Sequence, residues 1–176
     1  STQSDIDATF NSSVGEADCL TSRAWWYGLS GSPSPTEINF FDVVLHEIAH
    51  GLGFTSLVDT STGAKALGRD DAYSRLLADH SLGKLWPDMT DAERMASAID
   101  TGDLHWVGEQ VVEKSGAHSA GIHSSGHPEM YAPSELEGGS SVSHFSTTLT
   151  PNELMEPMTT SNPGQILTNE LMEDLG

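Results

Sequence analysis

Three side chains within five positions, His46, Glu47 and His50 in the run LHEIAHGLGF, carry enough chemistry to bind an ion and move a proton. Histidines at i and i+4 share one helix face, so both imidazoles can reach a single metal. Each zinc–nitrogen bond is about 2.0–2.1 Å long. The glutamate between them can reach a water on that metal and exchange a proton with it. Such an ion brings the pKa of its water to ~7 and polarises a carbonyl, which is the chemistry of hydrolysis at neutral pH.

A catalytic zinc takes three protein ligands, and this run supplies two. The compact continuation HExxHxxGxxH would place the third at Ser56, a poor zinc ligand. Residue chemistry leaves four candidates open. They are His144; Asp70 or Asp71 downstream of the helix; the cluster His118, His123 and His127; and Glu153 or Glu170 in two NELM copies.

The motif needs a helix, and the sequence provides one. Asn39 is placed as N-cap with Asp42 in the first turn, and Phe41, Val44, Leu45, Ile48 and Leu52 form an apolar stripe. That stripe is expected to pack under a sheet, leaving the histidines facing a cleft. Gly53 stands where the chain must turn sharply out of the helix.

Two separated segments resemble the leishmanolysin-type metzincins. HEIAHGLGF supplies His46, Glu47, His50 and Gly53; SHF supplies His144; NELMEP supplies Met155, eleven residues further on. The resemblance implies zinc held by His46, His50 and His144, with Glu47 as the base. It further implies endopeptidase activity, a tight turn carrying Met155 beneath the metal, and a two-lobed catalytic domain. A thioether suits that floor because it fills space without competing strongly for zinc; Met158 is the alternative floor. The tyrosine that some metzincins place shortly after this methionine has no counterpart here. The match is sharp over residues 39–54 and 139–158 and loose elsewhere.

The expected fold is α+β in one catalytic domain spanning 1–176. Residues 1–54 form an upper lobe with a mixed sheet over the zinc helix. Residues 55–143 form a long insertion in a helical and irregular lower lobe, and 144–176 carry the third ligand, the turn and a last helix. Only 45 residues precede His46, few for a full upper lobe, so a removed or missing N-terminal piece is an expectation too. Local patterns predict a strand at 5–11, loops at 28–36 and 57–69, and a helix over 70–83 with Tyr73, Leu76 and Leu77 inward. They also predict a helix at 90–99 opened by a Thr90/Glu93 capping box, strands at 104–107 and 109–113, an irregular 115–128, and a helix over 168–176.

With 26 acidic and 7 basic residues the formal charge is −19, which argues against nucleic acid or an anionic membrane as partner. A protein or peptide substrate and a secreted or extracellular setting are expected instead. No apolar run approaches the ~20 residues of a membrane span. Cys19, the only cysteine, cannot form a disulfide within the chain. Asp70–Asp71 and Glu135/Glu137 are candidate calcium ligands, although no EF-hand-like spacing supports them. His80 and His105 read as structural, His118, His123 and His127 as a solvated loop, and Trp25-Trp26-Tyr27 as mostly core packing.

Two other readings compete with zinc peptidase chemistry of this kind. One is a zinc peptidase of another clan with Asp70 or Asp71 as third ligand; the other is a catalytically silent, zinc-containing binding module.

Overall fold

Asn39 opens the helix on which the site is built. Its side chain accepts a hydrogen bond from the Phe41 amide at 3.0 Å and donates one to Asp42 at 2.7 Å. In this computed structural model, which describes residues 4, 6–158, 160 and 163–176, helix α1 spans Phe40–Gly51. It continues directly from β2 (Glu37–Asn39), which pairs in parallel with β1 (Ala24–Trp26). Burial raises the pKa of the Asp42 carboxyl against the lowering effect of Asn39.

The chain is an α+β fold. After α1 it forms a small antiparallel sheet in the order β4–β3–β5, from Lys84–Leu85, Leu77–Asp79 and Leu104–Trp106. Helix α2 (Asp91–Ser97) lies between β4 and β5, α3 (Glu109–Lys114) follows, and α4 (Ile166–Leu175) ends the chain. The core gathers Phe54, Tyr73, Leu77, Trp86, Leu104, Trp106, Phe145, Met155 and Leu171, nearly all of it downstream of α1. Among the described residues no helix is long and apolar enough to cross a membrane.

Several elements form where the residue pattern places them. The Thr90/Glu93 capping box starts α2, LHW is β5, and α4 ends at Gly176, although it begins two residues before Thr168. Others differ, and tertiary partners explain why. No strand forms in the described part of 5–11; Ile6 and Phe10 are half-buried while Ala8 is exposed. Residues 70–83 make a short 3-10 turn, opened by Asp71 accepting from the Ser74 amide at 2.7 Å and hydroxyl at 2.8 Å, and then β3 instead of a helix, where Leu77–Asp79 pair with Leu104–Trp106. Tyr73 and Leu77 still point inward. The EQVVE run becomes α3, not a strand. Gly108 offers no capping side chain, but the Asp174 carboxylate from α4 accepts from the amides of Gln110 at 2.9 Å and Val111 at 3.3 Å, and from the Trp106 indole at 2.9 Å. A Cβ on Gly108 would meet Asp174 Oδ2 at 2.1 Å, so the close approach requires glycine.

The orientation of α1 reverses expectation. The face carrying Asp42, His46 and Ala49 is buried, whereas Phe41, Ile48 and Leu52 are 51%, 37% and 62% exposed. Leu45 alone of the stripe packs against the core. The C-terminal segments hold the histidine side, the Leu154 carbonyl accepting from His46, while Trp25 of β1 packs edge-on against Phe40 at the start of the helix. Of Trp25, Trp26 and Tyr27, none is buried; the first two are half-buried and Tyr27 is 66% exposed.

Replacing the Asp174 cap with alanine is expected to lower stability by about 1–3 kcal/mol, since three donors lose their acceptor at once. Urea unfolding followed by circular dichroism measures it, with Glu173→Ala, on an exposed position, as the control expected to change little.

Candidate metal centre

The exit from α1 is built to bring Phe54 back over the helix. The Gly53 amide bonds the His50 carbonyl at 3.1 Å and the Phe54 amide bonds the Ala49 carbonyl at 3.0 Å, the paired pattern of a Schellman stop. Gly53 adopts φ +119°, outside the range comfortable for a side-chain-bearing residue. The Phe54 carbonyl then accepts a hydrogen bond from Nδ1 of His50 at 2.6 Å.

The other two rings are held in the same way. Nδ1 of His46 bonds the Leu154 carbonyl at 2.9 Å, and Nδ1 of His144 bonds the Ser140 carbonyl at 2.8 Å. A carbonyl oxygen only accepts, so each Nδ1 must carry the proton. Each neutral ring therefore presents an unprotonated Nε2, and the three Nε2 atoms lie 3.1 Å from one another. No proton is left to link them, so three lone pairs converge on one point. That arrangement repels itself unless a cation occupies the point. Two ligands of a tetrahedral zinc lie about 3.3 Å apart, close to the spacing observed. The donor set also suits zinc, copper or nickel and disfavours calcium or magnesium.

The electrostatics agree. Burial lowers the His50 pKa, opposed by the Phe54 carbonyl, and pushes that of His144 down to about 3. Both rings are thus neutral at pH 7 and available as ligands.

His144 is brought ninety-odd positions along the chain by a set of backbone anchors. The Tyr131 amide bonds the His144 carbonyl at 2.8 Å, the Val142 amide bonds the Tyr131 carbonyl at 2.7 Å, and the Tyr73 hydroxyl bonds the Val142 carbonyl at 2.9 Å. Met155 is completely enclosed, and its carbonyl accepts from the Phe145 amide at 2.9 Å. It therefore ties the residue after His144 to the residue after Leu154, which orients His46. Met158 is 66% exposed and forms no floor.

Glu47 stands beside the triangle, exposed, close enough that its charge raises the His50 pKa. It lines a cleft of about 570 Å³ with Ile6, Phe10, Trp25, Val43 and Gly51.

The rival ligands are engaged elsewhere. Asp71 binds the Leu57 amide at 3.1 Å as well as Ser74, and Asp70 pairs with Lys65 at 2.6 Å. Buried Glu153 caps α4, accepting from the amides of Leu167 and Thr168 at 3.1 and 3.2 Å, and lies 3.2 Å from the His118 ring. His118 is no part of the cluster that His123 forms with His80 and His105. Among the described residues, neither Asp70, Asp71, Glu135 nor Glu137 belongs to a cluster of three ligating side chains. The sequence reading missed the three carbonyls of Phe54, Ser140 and Leu154, which no residue type signals. It also missed that His80 and His105 approach His123. The clue to the latter was that His80, His105, His123 and His127 are half of the chain's eight histidines.

Comparison with protein-family models, characterised proteins and solved structures finds no match to any of the three.

His144→Ala is expected to weaken zinc binding by more than the roughly 10–100-fold typical of losing an outer partner of a ligand, while Asp71→Ala leaves it unchanged. Competition against a chromophoric chelator reads both. The reverse ranking would make the downstream carboxylate the third ligand.

Proposed function

We propose that this chain is a zinc-dependent endopeptidase of the leishmanolysin-like metzincin type. The observation that carries this reading is the set of three Nε2 atoms, left bare because a backbone carbonyl holds each ring's proton on Nδ1, with the exposed Glu47 carboxylate beside the triangle. A purely structural metal has no use for a base beside it, which disfavours a silent binding module.

His46, His50 and His144 are the residues that hold the ion. Bound there, zinc supplies Lewis acidity, acidifying a water and polarising the scissile carbonyl. Glu47 removes a proton from the water as its oxygen bonds to the carbonyl carbon. The same carboxyl then passes that proton to the departing amine nitrogen as the C–N bond breaks. The exposed position of Glu47 leaves its carboxylate accessible to substrate and water.

The cleft beside Glu47 is where an extended peptide would lie, bounded by the 6–11 segment on one side and α1 on the other. In this reading the segments through Phe54 are the upper lobe of a two-lobed catalytic domain and the later segments the lower lobe. The acidic balance fits work outside the cell on protein substrates.

Glu47→Gln is expected to keep its zinc and lose about 10²–10⁴-fold in kcat on an unfolded protein substrate. Wild-type activity should disappear with a chelator and return with zinc. Normal turnover by the glutamine variant would remove Glu47 from the mechanism, and a wild type without chelator-sensitive proteolysis would overturn the peptidase reading itself.

A further inference from the structure

We propose a second, independent transition-metal site formed by His80, His105 and His123, with His127 beside it, and that the ion it takes is zinc or a similar borderline divalent cation. One ligating nitrogen from each of the first three residues lies within 4.8 Å of the others. The ring centroids of His80 and His123 are 4.2 Å apart, and those of His80 and His105 4.5 Å.

His105 is the observation that points to a ligand. It is wholly enclosed in the middle of β5, and neither ring nitrogen has a hydrogen-bond partner. The Gly102 carbonyl exerts a small opposing pull on the ring, but without hydrogen-bond geometry to either nitrogen. A buried polar group left in this state is costly, and native proteins almost always satisfy it. A metal ion at the centre of the cluster supplies the missing partner. Burial, and then the neighbouring imidazoles, push the His105 pKa down to about 3, so the ring is neutral with a lone pair to offer.

The fold assembles these rings from three places. His80 follows β3, and its amide bonds the Asp103 carbonyl at 2.9 Å; His105 is paired with Ala78 across the β3–β5 ladder. His123 and His127 close a tight loop, His123 amide to His127 carbonyl at 2.9 Å. His127 Nδ1 lies 3.2 Å from His80 Nε2. Ser125 Oγ bridges His80 Nε2 at 3.0 Å and His123 Nδ1 at 2.8 Å, filling with a hydroxyl the space between two rings. The three nitrogens lie within 4.8 Å of one another, in reach of a common ion once the rings close toward the ~3.3 Å between ligands on a tetrahedral zinc. No carboxylate takes part, and an imidazole-only set selects zinc, copper or nickel over calcium and magnesium.

The role that follows is structural. Such an ion would staple the Ser- and Gly-rich loop to the β3–β5 sheet. From that loop the chain runs through Met130, which bridges to Phe145, the residue after His144.

The test is zinc content by elemental analysis, after equilibrating the chelator-stripped chain with zinc chloride and desalting it. Wild type should carry two ions per chain. His46→Ala/His144→Ala should retain one, and His80→Ala/His123→Ala, at half-buried positions, should lose one while keeping peptidase activity. Loss of zinc to zero in the first variant, with its circular dichroism unchanged, overturns the proposal. Full retention of two ions in the second does so as well. If either variant fails to fold, anomalous scattering at the zinc edge from wild-type crystals decides. A peak within bonding distance of His105 supports the site, and its absence there refutes it. The peptidase reading fails separately, through absence of chelator-sensitive proteolysis in the wild type, so the two outcomes stay distinguishable.

Discussion

Three unprotonated imidazole nitrogens cannot sit 3.1 Å apart without something positive between them. Much of the structure serves that convergence. The Schellman stop after α1 returns Phe54 to His50, and the Tyr131, Val142 and Tyr73 anchors fix the approach of His144. The enclosed turn at Met155 brings the Leu154 carbonyl to His46. Most of the apolar core lies downstream of α1, so the histidine-bearing face turns toward it and the apolar stripe is left outward.

Residue types and spacing made part of this legible. His46, Glu47 and His50 could be read because helical periodicity fixes which side chains share a face, and Asn39 and Thr90 could be read because a cap acts within its own turn. His144 was reachable only through resemblance: the residues between it and Gly53 carry no pattern that measures distance in space. The misreadings have a common cause. Residues 70–83 have a helical pattern, but pairing with β5 takes Leu77–Asp79 into a sheet; EQVVE looks like a strand until Asp174, more than sixty positions away, supplies its cap. In both cases a partner distant along the chain overrides propensity.

The histidines that looked bland were misjudged for a related reason. His105 alternates in a short strand and reads as ordinary packing, and His123 and His127 sit among serines and glycines that read as solvent-exposed loop. Their meaning arises only when the β3–β5 ladder and the loop closure bring them to His80. His118 belongs to the same stretch of sequence yet ends in a buried pair with Glu153 at the start of α4. Proximity along the chain was therefore a poor guide to which rings act together.

The groups that orient the three inner rings are main-chain oxygens of Phe54, Ser140 and Leu154. Every amino acid carries that oxygen, so the tautomers depend on where the main chain runs and not on which side chains stand there. Scanning these positions with alanine would report the lost core packing of Phe54 and Leu154 and would miss what their oxygens do. The control of ring protonation is written in the path of the backbone, and only a change that bends that path can erase it.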